Sequence, residues 1–193
     1  MLPPSLRDYH LEICCPRCGG RARWEEPFEI TGPRSEANAS MPGAVTQAWG
    51  PWTVRERFPS VVRWRAPRKG VGWTHYARGV ARCAACHWVA QHRLRWPADA
   101  YFRWNVRGTQ LWAWHAEHAR VLHHYVAAQL RDPYRYPHPY PRTLQRLPAD
   151  VLARRSRAHV VGKIAATLGA LGIDPDPPLL RPCDGAKRAR DAG

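Results

Sequence analysis

Membrane-length apolar stretches are missing from these 193 residues. The best candidate, Val160 to Ile173, falls short of the roughly 18 residues a membrane helix needs and carries Lys163. No secretory signal is read at Met1 to Cys14, which alternates proline, charge and histidine without an apolar core. A cytoplasmic protein with no membrane partner is therefore expected. Catalytic signatures are missing as well. There is no His-Glu-x-x-His and no glycine loop to cradle phosphate, and Glu25, Glu26, Asp99 and Glu117 pair with no His or Ser in a catalytic motif. The chain is read as non-enzymatic.

Acid is scarce and lysine scarcer. Fifteen Asp+Glu stand against 30 Lys+Arg, a formal net charge of +15. All the basic residues but Lys69, Lys163 and Lys187 are arginine. With abundant alanine and proline, that bias reads as GC-rich coding. The excess of base is the functional clue, since it sets the sign of the long-range field and favours polyanions. Residues 1–86 hold 13 basic and 7 acidic groups, 87–133 hold 6 and 3, and 134–193 hold 11 and 5, so no segment is acidic. Hydrophobic residues at 45% argue against wholesale disorder.

Five of the six cysteines fall into Cys14-Cys15-Pro16-Arg17-Cys18-Gly19 and Cys83-Ala84-Ala85-Cys86-His87. Each cluster contains Cys-x-x-Cys, which lets two thiolates of one tight turn reach a single tetrahedral Zn²⁺ at about 2.3 Å. Cys15, Cys18, Cys83 and Cys86 complete a four-sulfur shell for one structural Zn²⁺, with no coordination position left for water or substrate. A disulfide framework is the rival, disfavoured without a secretory signal. Cys14 could replace Cys15 in the shell, although Pro16 favours the Cys15 register. His87 could compete as a ligand or cap its turn, and Cys183 sits alone in a proline-rich tail.

These residues resemble the zinc-ribbon family, in which two knuckles on β-hairpins clamp one zinc. Cys15-Pro16-Arg17-Cys18-Gly19 is similar to the ribbon's first knuckle and Cys83-Ala84-Ala85-Cys86 to its second, with His87 where glycine is usual. The run through Trp96-Pro97-Ala98-Asp99-Ala100-Tyr101 and Arg107-Gly108 to Leu111-Trp112-Ala113-Trp114 looks like small bacterial zinc-ribbon proteins of unassigned function. The likeness covers the knuckles and their strands, and it implies no particular activity. The 64 residues between Cys18 and Cys83 far exceed a minimal ribbon and imply an inserted β-rich segment at about 20–82.

The expected class is α+β: a zinc ribbon with that insert, a long amphipathic helix, then a C-terminal basic helix. Trp52 to Phe58 alternates as a strand, Val61 to Arg65 continues extended, and Thr31 to Pro51 reads as loop. Trp88–Trp96 and Tyr101–Arg107 are expected to form one hairpin, apolar on one face and carrying Arg93, Arg95, Arg103 and Arg107 on the other. Thr109 can cap a helix running to about Arg131, on the rhythm Leu111, Trp114, His118, Leu122, Tyr125. His115 and His118, three apart, could share a metal, but the plainer reading packs the helix histidines on tryptophans. The tryptophans are assigned mostly to packing.

The expected domains are 1–133 for the ribbon with its packed helix, 134–147 for a Tyr/Pro linker, 148–172 for a basic helical segment and 173–193 for a disordered tail. The linker is read either as a surface strap or as an aromatic platform for bases or a peptide. Ser156 reads as the N-cap of a helix over Arg157 to Leu171. Arg154, Arg155 and Arg157 beside that N-terminus suit a phosphate. Two functions follow: a DNA- or RNA-binding or accessory protein using these basic and aromatic surfaces, or a protein-interaction adaptor whose zinc is purely structural.

Overall fold

Strict alternation sets the first strand. In β1 (Leu11–Cys14), Leu11 and Ile13 are fully buried while Glu12 and Cys14 are half-covered. The computed structural model describes residues 10–31, 45–49, 52–61 and 78–176. The chain divides into two compact units, Met1–Tyr101 and Phe102–Gly193, where composition suggested a boundary after Pro133.

The first unit holds two antiparallel sheets. β1, β2 (Arg21–Glu25), β6 (Arg78–Cys83) and β7 (Val89–Arg93) lie in the order β1-β2-β6-β7. β3 (Phe28–Thr31), β4 (Val45–Trp49) and β5 (Trp52–Glu56) lie in the order β3-β5-β4. β5 falls where alternation places a strand. β4 corrects the reading of Thr31–Pro51 as loop, because four of those residues pair with β5 across a bulge at Val45/Gln47. Of the expected extended stretch Val61 to Arg65, Val61 lies in a turn, its N–H donating to the Phe58 carbonyl at 3.1 Å, and 62–65 lie outside the described residues, as do 177–193.

Trp24 packs against the backbone of Gly79, where an added Cβ would collide with the indole and the Glu25 carbonyl. Its Nε1–H donates to the His92 carbonyl at 3.4 Å, tying β2 to β7 across the intervening β6. Full burial of a large apolar side chain contributes about 1.5–3 kcal/mol, so Leu11, Ile13, Trp24 and Val80 anchor this sheet.

After β7 the chain returns along the far side of β1. The Cys14 N–H donates to the Asp99 carbonyl at 2.9 Å and the Tyr101 N–H to the Glu12 carbonyl at 3.0 Å. The buried Asp99 carboxylate faces back to β7, accepting from the Arg95 N–H at 2.7 Å and lying 3.0 Å from His92 Nε2.

In the second unit β8 (Phe102–Val106) pairs with β9 (Thr109–Ala113) through the two-residue turn Arg107-Gly108. Both turn residues have positive φ, +50° and +81°, as the tight turn matching strand twist requires. Two expectations are corrected here. The strand after the second knuckle pairs with β6, and β8 pairs with β9, so no 88–107 hairpin forms. The stretch after Thr109 is a strand, because Leu111 and Ala113 are buried two apart.

Helix α1 (Ala116–Ala127) is correspondingly shorter than expected. His115 caps it, Nδ1 accepting the His118 N–H at 3.3 Å. It ends four residues before Arg131, whose guanidinium folds back to donate to the Val126 carbonyl.

The Tyr/Pro stretch is no extended strap. Pro133–Arg135 forms a 3-10 turn and Tyr140–Leu144 a short helix, α2, burying Tyr140 and Leu144. Then come α3 (Ala149–Leu152) and α4 (Arg154–Gly169), which packs on α1 and on β8. Val160, Ile164 and Leu168 form the buried stripe of α4. Ser156 is buried on that same face inside the helix, so Ala153 stands at the cap and the expected start is corrected by three residues. Trp104 Nε1–H donates to Thr167 Oγ1 at 2.9 Å, and Lys163 Nζ donates to the Asn105 carbonyl at 2.8 Å.

Candidate metal centre and basic surfaces

Each cysteine pair hangs from a strand end. β1 delivers Cys15, and the turn Pro16–Gly20 brings round Cys18 and closes with the Cys15 N–H donating to the Gly20 carbonyl at 2.7 Å. β6 delivers Cys83, and its turn closes with the Cys83 N–H on the Trp88 carbonyl at 2.9 Å. Because β2 pairs with both β1 and β6, the two turns meet at one end of the sheet.

All four sulfurs lie within 4.8 Å of one another. Cys15 and Cys86 Sγ are 3.7 Å apart, Cys18 and Cys83 Sγ 3.6 Å. A disulfide needs about 2.05 Å, so these are free thiols. A regular tetrahedron with metal–sulfur bonds of about 2.3 Å has edges near 3.8 Å. The spacing fits four sulfurs around a metal ion.

Backbone dipoles prepare the site. The Arg17 N–H points at Cys15 Sγ from 3.4 Å. The N–H of Cys86, and then that of Ala85 against the opposing effect of burial, draw the Cys83 thiol down to about 7. The Gly20 N–H acts the same way on Cys18, but its thiol neighbours Cys86 and Cys83 and burial push it up to about 12. Sulfur charges crowded this closely repel, and a cation among them is what lets all four ionise.

The neighbours stay out. Cys14 turns its Sγ to the Ala100 carbonyl at 3.8 Å, away from the cluster. His87 is exposed and is not among the four grouping residues. Its φ of +56° shows what it does instead: it occupies the left-handed position that Gly19 fills in the first turn at +72°. Cys183 lies outside the described residues.

His115 and His118 are buried, and each spends Nδ1 accepting a backbone N–H, from His118 and Trp114 respectively. The His118 ring lies tilted 4.2 Å from Trp114 and stacked 5.3 Å from Tyr140. Its pKa is driven well below 6.5, first by burial and then by His115. These histidines belong to an aromatic core, as do Trp104 and Trp114.

The seven candidate arginines separate. Arg93 and Arg95 are exposed in the first unit; Arg93 lies opposite Arg78 in the ladder, and Arg95 reaches Asp99 at 3.6 Å. Arg103, Arg107, Arg154, Arg155 and Arg157 belong to the second unit. Arg154, Arg155 and Arg157 fill the first turn of α4. Arg155 reaches Asp150 at 3.8 Å; among the described residues no carboxylate pairs with Arg154 or Arg157. Arg131, expected only as a helix end, has a further role. It donates to the Leu152 carbonyl at 2.8 Å, and burial followed by the nearby Arg157 charge lowers its pKa. Two cations therefore crowd the α3–α4 junction.

Glu25 was also unforeseen in its role. This buried carboxylate gathers Arg23 at 2.8 Å, Arg57 at 3.5 Å and Arg82 at 4.0 Å, which relieves the cross-strand pairing of Arg23 with Arg82.

No helix among the described residues is long and apolar enough to cross a membrane. Comparison with family models, curated proteins and solved structures finds no match.

Proposed function

We propose that this chain is a zinc-stabilised, non-catalytic nucleic-acid-binding or accessory protein. Cys15, Cys18, Cys83 and Cys86 hold one structural Zn²⁺ in the manner of a zinc ribbon. Thiolates favour a soft cation, and the four-sulfur shell suits zinc without redox chemistry. The ion's contribution is to lock two turns together where β1 and β6 end.

Nucleic acid is assigned to Arg93 and Arg95 in one unit and to Arg103, Arg107, Arg154, Arg155 and Arg157 in the other. The observation that carries this reading is the first turn of α4. Arg154 and Arg157, with which no carboxylate among the described residues pairs, stand at a helix N-terminus whose backbone N–H groups also attract anions, and Arg131 adds charge beside Arg157. Such crowding is unfavourable until a phosphate arrives.

The test is salt-titrated binding to DNA and RNA by protein stripped of nucleic acid. Affinity should fall steeply with salt, with a slope reporting several phosphate contacts. Reversing Arg154, Arg155 and Arg157 to Glu should reduce both affinity and slope. Unchanged binding in that variant removes the α4 surface from the reading.

An adaptor function is favoured by one different observation, Leu130 standing 81% exposed. An adaptor would retain a defined protein partner after nuclease treatment, and that partner would be lost on Leu130→Ser.

A further inference from the structure

We propose that Tyr134 is a stacking platform for an unpaired base of single-stranded nucleic acid, with Arg135, Arg142 and Arg146 contacting the flanking phosphates. This rests on the nucleic-acid reading above and locates a site on different residues.

Tyr134 is 75% exposed, yet it is held at both ends. Asp132 Oδ1 accepts its N–H at 2.9 Å, fixing the 3-10 turn, and Gln145 Nε2 donates to its hydroxyl at 2.8 Å. The tied hydroxyl leaves the ring as the exposed part. Tyrosine usually buries its body and wets its tip; here the ring is offered to solvent and the tip is engaged.

The charges around it follow from helical spacing. Gln145, which reaches Tyr134, is three residues beyond Arg142 and next to Arg146. Arg142, three residues before Gln145, shares its side of the chain, and Arg146 follows in the next turn. The Arg146 N–H donates to the Thr143 carbonyl at 3.1 Å, continuing the turn of α2. Arg135 adjoins the ring in sequence. All three arginines are exposed, and Asp132 accepts the Tyr134 N–H. An exposed, immobilised ring amid cations is the pairing that binds single strands: rings take bases of any sequence and arginines follow phosphate. A duplex hides its base faces and an acidic peptide has none to stack, so the single strand fits best.

The experiment measures anisotropy of fluorescein-labelled oligouridine and oligothymidine of about ten nucleotides with the nucleic-acid-free full chain. Tyr134→Ala should weaken binding about 5- to 150-fold, the loss of one stacked base, with its melting temperature unchanged. Tyr134→Trp should bind within a few-fold of wild type. An abasic oligonucleotide should bind wild type and Tyr134→Ala alike.

If Tyr134→Ala binds as wild type while the α4 triple reversal weakens binding, the platform is wrong and the broader reading stands. If wild type binds neither oligonucleotide, the platform falls, and the broader reading falls with it only if duplex DNA and RNA are not bound either. Tighter binding of a fluorescein-labelled oligoglutamate than of either oligonucleotide would overturn the platform in favour of an acidic protein partner.

Discussion

Gly19 and His87 hold the same left-handed backbone at the same place in their turns, one residue past the second cysteine, with φ of +72° and +56°. Glycine adopts this conformation freely, whereas a side chain there costs about 1–2 kcal/mol. His87→Gly should therefore raise stability by about 0.5–1 kcal/mol, measured by thermal or denaturant unfolding. A drop in stability would mean that the imidazole makes a contact worth more than the backbone strain.

Purified chain should carry about one zinc per molecule by elemental analysis. Cys15→Ser and Cys83→Ser should each remove most of it, while Cys14→Ser should leave it in place, because Cys14 faces Ala100. Chelation should unfold the β1-β2-β6-β7 sheet and abolish the near-ultraviolet dichroism of Trp24. Full zinc in Cys83→Ser, or none in wild type, would refute the assignment.

Gly79→Ala drives a methyl into the Trp24 indole and the Glu25 carbonyl. Neither can yield without disturbing the β2–β6 ladder. Overpacking of this sort costs about 1–3 kcal/mol, and denaturant titration should show a loss in that range. The double variant Gly79→Ala with Trp24→Phe should recover part of it.

His118 makes stability depend on pH. Its folded pKa lies below the unfolded 6.5 because burial, and then His115, disfavour its charge. Its stabilising contribution is complete above pH 6.5. It is lost as pH falls, since the unfolded chain takes the proton first. The slope from this one group is at most about 1.4 kcal/mol per pH unit. His118→Gln retains a side-chain acceptor for the Trp114 N–H and cannot titrate. Its melting temperature should vary less than that of wild type between neutral and mildly acidic pH.

Asp99→Asn tests the closure of the sheet. The buried carboxylate serves His92 and the Arg95 N–H, and hydrogen bonds to a charged group contribute about 1.5–3 kcal/mol. A comparable loss of stability is expected, with zinc content unchanged.

The clustering of the four cysteines was legible because Cys-x-x-Cys geometry is local; each turn is built within a few residues. Pairing was not legible, since which strand lies beside Val89–Arg93 depends on a partner brought in from the other side of the second turn. Leu111 satisfied both periodicities, being three residues from Trp114 and two from the buried Ala113, so a strand was read as a helix. The two-residue turn at Arg107-Gly108 was the available signal against that. Ser156 has the chemistry of a cap but faces the core, and helix start depends on where α3 ends. Tyr134 was visible only as composition. Its two tethers, Asp132 and Gln145, come from either side of the 3-10 turn.

The return of residues 99–101 along β1 governs how copies of this chain could meet. On the outer side of β1 the Glu12 carbonyl and the Cys14 N–H are taken by that segment. Among the described residues this sheet keeps one bare margin, β7. Endless strand-by-strand stacking needs two open margins per subunit, and a subunit with one can join only a single neighbour through this sheet. Asp99, by holding the returning segment, thus stands in the way of a second copy adding a strand beside β1.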